Sequence, residues 1–163
     1  MRQGLGTQLR HLIDLLDGAV AAAYEEVGIA YRPRYTPVMR ALEGGGARTV
    51  SQIAEAAGIT QPAATQTVAL MLREGLLDAA PGDRDARQKL IRLSAHGLQL
   101  LPQLRQCWQA TRSAADSLDA DLPYPLSGAL AQAIAALQSQ PFGTRIRKAR
   151  AAMNDVNNNK EVS

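Results

Sequence analysis

A mainly helical chain with one small β-hairpin is the fold class that the sequence predicts, and three observations predict it. Apolar residues recur at intervals of three and four along most of the chain, as on one face of a helix. Between Thr49 and Gly75, two short helical patterns are separated by a two- or three-residue turn. Directly after them, Leu76–Ala80 and Lys89–Leu93 alternate in polarity, as two short strands do.

The elements follow in order. Leu5, Leu9, Leu12, Ile13, Leu16, Val20, Ala23 and Val27 share one face of a long helix that Gly28 ends. About 22 residues make a helix roughly 33 Å long, too long for one small domain to cover. Its apolar face is expected to meet a second subunit as well as its own. Ile29–Tyr35, with Pro33, is a connector. Thr36 is expected to cap a short helix with Pro37 in its first turn and Val38, Ala41 and Leu42 buried, and Gly44-Gly45-Gly46 stops it.

Thr49-Val50-Ser51-Gln52 has the form of a capping box. Ile53, Ala56 and Ala57 supply the buried side of that helix, and Gly58 ends it. Thr60 caps the next helix, with Pro62 in the first turn, where its missing N–H costs nothing. Ala64, Val68, Met71 and Leu72 lie on its inner face, and Gly75 closes it. Ser94 caps a further helix that carries Leu98, Leu101, Leu104, Trp108, Thr111 and Ala115 to about Ser117, with Pro102 inside it. Asp119–Ser127, with two prolines, is a loop. Leu126, Leu130, Ala133, Ile134 and Leu137 mark another helix that Pro141 breaks, and Arg145–Met153 a last short one. Residues 154–163 are polar and are expected to form a disordered tail.

Composition narrows the function classes. Of 163 residues, 46% are hydrophobic and 20% charged, as in ordinary globular proteins. The net charge of +3 permits a nucleic-acid partner without requiring one. The single cysteine, Cys107, excludes an internal disulfide and fits a reducing compartment. The lone cysteine and two distant histidines give no metal-ligand spacing. The sequence has no apolar run long enough for a signal peptide or a membrane span, so a cytoplasmic protein without membrane contact is expected.

The chemistry concentrates on the second short helix and the hairpin. Gln61, Pro62, Ala63, Thr65, Gln66 and Ala69 fall away from the apolar face, after the cap Thr60. Glutamine donates to adenine N7 and accepts from its N6 amino group, so Gln61 and Gln66 are candidates for base edges in a major groove. Thr65 offers a hydroxyl and a methyl, and Pro62 and Ala63 suit a thymine methyl. Arg84 and Arg87 stand in the hairpin loop beside Gly82, and arginine gains from the potential of a narrow minor groove. Asp85 suits a bidentate pair that orients Arg87 or Arg73. Lys89 and Arg92 are candidate phosphate contacts.

The stretch Thr49–Gly97 resembles the MarR family of winged helix-turn-helix transcription regulators. The helical part "TVSQIAEAAGITQPAATQTVALMLREGLL" is similar to the family's helix-turn-helix. "DRDARQKLIRLSAHG" is similar to its wing, including Asp85 and Arg87 two apart and the exit Leu93, Ser94, Gly97. The resemblance implies a winged helix-turn-helix domain over residues 31–93, with residues 1–30 and 94–153 as a helical dimerisation region. It implies a homodimer on a palindromic operator in double-stranded DNA, and repression relieved by a small aromatic or phenolic effector or by cysteine oxidation. Two features depart from the family: the recognition helix has no arginine between Thr60 and Leu72, and Leu70 takes a place often polar. Cys107 lacks a nearby basic cluster, so an inert thiol is the expectation there. An effector pocket between the dimer helices and the winged domain draws candidates from His11, Tyr24, Tyr31, Arg34 and Tyr35. Arg145, Arg147, Lys148 and Arg150 are read as a solvated face.

The alternative is an architectural or protein-interaction module without sequence-specific DNA binding. It has no need of a polar recognition face together with an arginine-tipped hairpin. The sequence has no Gly-rich phosphate loop, no nucleophile–base pair at readable spacing and no metal constellation. An enzyme is therefore not expected, nor any cofactor.

Overall fold

A computed structural model of the chain describes residues 4–82 and 89–160. The elements in order are α1 (Leu5–Glu26), a 3₁₀ turn (Pro33–Tyr35), α2 (Thr36–Leu42), α3 (Val50–Ala57), α4 (Gln61–Arg73), β1 (Leu77–Pro81), β2 (Lys89–Leu93), α5 (Ala95–Asp121), α6 (Leu126–Ser139) and α7 (Phe142–Lys160). They form two compact units, Met1–Thr111 and Arg112–Ser163.

In the first unit, one apolar core gathers side chains from almost every element. Val38, Met39 and Leu42 of α2, Ile53 of α3, Val68 and Met71 of α4 and Ile91 of β2 are buried together. Tyr24 of α1 and Leu101 and Leu104 of α5 belong to the same core. The core therefore crosses the boundaries drawn at 30/31 and 93/94. β1 and β2 pair antiparallel, with Leu77 opposite Leu93 and Ala79 opposite Ile91. Arg48 adds a one-residue third strand: its N–H donates to Ile91 O and its carbonyl accepts from Ile91 N–H, both at 2.8 Å.

The junction from the hairpin into α5 is built around Ser94. Its Oγ donates to Gly75 O at 2.6 Å and accepts the Gly97 N–H at 3.0 Å. Its backbone N–H donates to Leu76 O at 3.1 Å. One side chain thus caps α5 and holds the turn that leaves α4. Gly97 completes the joint, because a Cβ there would press into the Leu76 carbonyl oxygen.

Several expectations change on packing. Thr36 is not a cap: it is the first residue of α2, behind the 3₁₀ turn, and makes no capping hydrogen bond. Met39 rather than Ala41 completes the buried face of α2, and Ala54 rather than Ala56 that of α3. Thr67, not marked from sequence, is buried on α4. β1 begins one residue later than read, and α5 runs on to Asp121.

The described residues of the second unit form the end of α5, α6 and α7. Asp119 accepts from Ser127 N–H at 3.2 Å and from the Ser127 hydroxyl, which holds its carboxyl below the usual range. Arg145 donates to Gln140 O and Ala136 O, both at 3.3 Å, closing the open end of α6. α6 buries no side chain: Ile134 is 57% exposed. α7 continues to Lys160, so the helix extends past Met153 into the expected disordered tail, although its composition gives no apolar stripe to signal it.

The Ser94 joint makes Gly97→Ala destabilising by roughly 1–3 kcal/mol, the scale of an overpacked core site. Urea denaturation checks this; a loss under about 0.5 kcal/mol, within the range of ordinary surface changes, would show that the backbone yields instead.

Candidate nucleic-acid interface

The helix-turn-helix is set by local chemistry before tertiary packing. In α3 the capping box is complete: Gln52 N–H donates to Thr49 Oγ1 at 3.2 Å, and Thr49 N–H to Gln52 Oε1 at 2.9 Å. Gly58 ends the helix at φ +65°, a left-handed conformation that side chains rarely adopt. Thr60 Oγ1 then accepts the Ala63 N–H at 3.3 Å and starts α4. Caps of this kind contribute about 1 kcal/mol each.

α4 buries Ala64, Thr67, Val68 and Met71. Gln61, Pro62, Ala63, Thr65, Gln66, Ala69 and Arg73 are exposed. At about 100° per residue, Pro62, Gln66, Ala69 and Arg73 point roughly 150–170° away from the middle of the buried set. Thr65 sits at about 110°, Ala63 at about 90° and Gln61 at about 70°. The outermost stripe therefore runs through Pro62, Gln66, Ala69 and Arg73, with Thr65 beside it and Ala63 and Gln61 nearer the buried face. Arg73 joins this stripe without having been a candidate for it, although helical spacing, seven residues after Gln66, places it there. Thr65 is partly committed: its hydroxyl donates to Gln61 O at 2.9 Å, which leaves an oxygen lone pair and a methyl free.

Of the hairpin candidates, Lys89 is exposed at the start of β2, opposite Pro81. Arg92 is exposed and paired in register with Asp78. Arg84, Asp85 and Arg87 lie outside the described residues.

The five effector candidates do not assemble into one site. Tyr24, Tyr31 and Tyr35 are buried and stack edge-to-face, with ring centroids 4.9 Å and 5.7 Å apart. The hydroxyls of Tyr24 and Tyr31 each lie 3.5 Å from Thr36 Oγ1, and Tyr35 Oη is buried with no partner among the described residues. Arg34 is exposed, and so is His11, thirteen residues before Tyr24 on α1 and thus about 20 Å along the helix. The tyrosines are core packing. A cleft of about 430 Å³ does open beside them, lined by Ala30, Tyr31, Arg32, Glu74, Leu76 and His96. Arg32 there pairs with Glu74 at 3.0 Å. Neither residue was legible as part of a site, since 42 positions separate them. Cys107 is half-buried and packs against the core.

Residues 32–88 match the sequence model of the MarR family. Over that span the chain is similar to the MarR family. The matched span holds the whole helix-turn-helix, and the fold agrees with solved regulators along most of the chain. PcaV, a transcriptional regulator from Streptomyces coelicolor solved with its natural ligand, is 21% identical with a TM-score of 0.58, over 86% of this chain and 98% of PcaV. MepR of S. aureus, in a DNA complex, gives 0.63 at 16% identity over 85% and 98%. The transcriptional repressor CouR, bound to a 23-mer DNA duplex, gives 0.60 at 19% over 83% and 92%. At these identities the likeness is one of fold. A search of curated proteins finds no match by sequence.

The buried tyrosines make a spectroscopic prediction. Burial pushes the Tyr31 phenol well above its ordinary value of 10.0, and burial also raises Tyr35. The unfolded chain ionises first, so the stability these phenols confer is complete below about pH 10 and falls as pH rises beyond it. Phenolate absorbance from Tyr31 is expected only together with loss of helical circular dichroism, and Tyr31→Phe removes that part of the signal. Ionisation of Tyr31 near pH 10 in a still-folded chain contradicts its burial.

Proposed function

We propose that this chain is a homodimeric transcriptional repressor that reads a palindromic operator and releases it when a small effector binds. The observation that carries the reading is the exposed face of α4, fixed in place by two successive threonine caps inside the span that matches the MarR-family model. A helix presented in this way enters a major groove with its N-terminal residues on base edges. In this reading the hairpin loop, with Arg84 and Arg87 oriented by Asp85, takes the adjacent minor groove, and Lys89 meets phosphate. The DNA complexes of MepR and CouR support it by likeness of fold.

Dimerisation rests on apolar faces that the single chain leaves open. Leu5 is 67% exposed and Ile13 54% on α1, and Ile134 of α6 is as open. A second copy is the occupant we assign to them, with residues 1–30 and 94–153 as the dimerisation region. The effector we assign is an aromatic or phenolic acid, supported by the ligand complex of PcaV. The cleft at Tyr31, Arg32 and His96 suits it, since it combines an aromatic side chain with a guanidinium. A ligand switches the repressor only by binding its two conformations with different affinity. No helix among the described residues is long and apolar enough to cross a membrane. The cytoplasm is the compartment we assign.

Selection from random duplexes, followed by titration of the winner against scrambled DNA at several salt concentrations, tests the reading. An inverted repeat bound tighter than scrambled DNA by about a thousandfold is expected. Binding that depends on salt but not on sequence would instead establish an architectural module. Removing residues 1–16 is expected to give monomers in sedimentation and to abolish operator binding; a stable truncated dimer would displace the interface from α1.

A further inference from the structure

Resting on that reading of α4, we propose that its half-site is centred on an A·T pair read by Gln66, with thymine methyls packed against Pro62 and Ala69. The argument is an inventory of what the exposed stripe can offer. From Gln61 to Leu72, α4 holds no lysine, arginine, aspartate or glutamate. Guanine presents two acceptors, O6 and N7, which paired donors of arginine or lysine satisfy best, and cytosine N4 is read by a carboxylate. Neither chemistry is available on this helix before Arg73.

What the helix does offer fits adenine and thymine. The amide of Gln66 donates and accepts at once, as adenine N7 and N6 require. Pro62 lies one turn before it and Ala69 one turn after, both exposed and apolar. A rise of about 6 Å to Pro62 and about 4.5 Å to Ala69 places them over neighbouring base steps, where only thymine carries a methyl in the major groove. Thr65 strengthens the preference. With its proton donated to Gln61 O at 2.9 Å, it turns a methyl and an acceptor outward, and has no donor left for guanine. Gln61 stands about 140° around the helix from Gln66, so the two amides address different base pairs. Arg73 shares the stripe but lies about 10 Å along the axis from Gln66, at the end of the helix that leaves the groove.

The test uses the full-length chain, the selected duplex and two base analogues in the half-site. Diaminopurine·T keeps the major-groove face of A·T and gives the minor groove the amino group of G·C. Inosine·C does the reverse. The expected result is an A·T-centred half-site, binding within about twofold on diaminopurine·T, and a loss of about fivefold to a hundredfold on inosine·C, the range for one bidentate contact. Uracil in place of thymine weakens binding several-fold, and Gln66→Arg, at an exposed position, reselects G·C at one pair per half-site. A G·C-centred half-site overturns the proposal, and so does tolerance of inosine·C with loss on diaminopurine·T, which assigns the preference to the minor groove. Specific binding in either case leaves the repressor reading standing. Absence of any sequence preference removes both together.

Discussion

The hydroxyl of Ser94 is the contact on which the winged domain depends. It receives one helix and releases another: the turn after α4 is tied to it through the Gly75 carbonyl, and α5 begins on it through the Gly97 N–H. Ser94 is buried, so both bonds form where water cannot replace them and an unmade one is costly. The hairpin enters and leaves at the same joint, since Leu77 pairs with Leu93 one residue away. The exit angle of α4, the base of the hairpin and the start of α5 are therefore one mechanical element. Gly97 is the condition for it, because the Leu76 carbonyl occupies the space of a side chain.

Around that joint the stabilisation is apolar rather than ionic. The ion pairs Arg32–Glu74 and Arg105–Glu43 join distant parts of the first unit, but their arginines are 58% exposed. Such pairs contribute about 0–1 kcal/mol. Their value is directional: Glu43, at the end of α2, takes Arg105 of α5 and Arg40 of α2, and Arg40 lies over the Trp108 ring at 5.5 Å. α2 and α5 are held in one orientation by several weak contacts over a strong core.

What was legible in the sequence was what is local. The capping box at Thr49, the cap at Thr60 and the glycines at 28, 58 and 75 act through neighbours within a few residues, and each stands where it was read. Thr36 failed as a cap because the three residues before it already turn, which makes it the first residue of the helix and frees its hydroxyl for the tyrosines. Met39, Ala54 and Thr67 are buried because of partners far away in sequence, which a periodicity cannot name. The one-residue strand at Arg48 has no pattern to find, since a single bridge has no alternation. Among the site residues, the polar face of α4 was visible, but its ranking needed the buried set to fix the rotation. The separation of His11 from the tyrosines follows from helical rise alone, whereas the pairing of Arg32 with Glu74 needed the fold.

Tyr24 has a mechanical meaning beyond its packing. It fastens the C-terminal end of α1 into the core that also holds α4, while Leu5, nineteen residues earlier, stands in the open. α1 is thus a lever with its fulcrum inside the winged domain. Over about 28 Å of helix, a tilt of about 5° at Tyr24 carries Leu5 through roughly 2.5 Å. A shift at the core too small to break a tyrosine contact reaches the far end magnified to nearly half a turn of helix rise, and a displacement imposed at the far end returns to the core reduced by the same ratio.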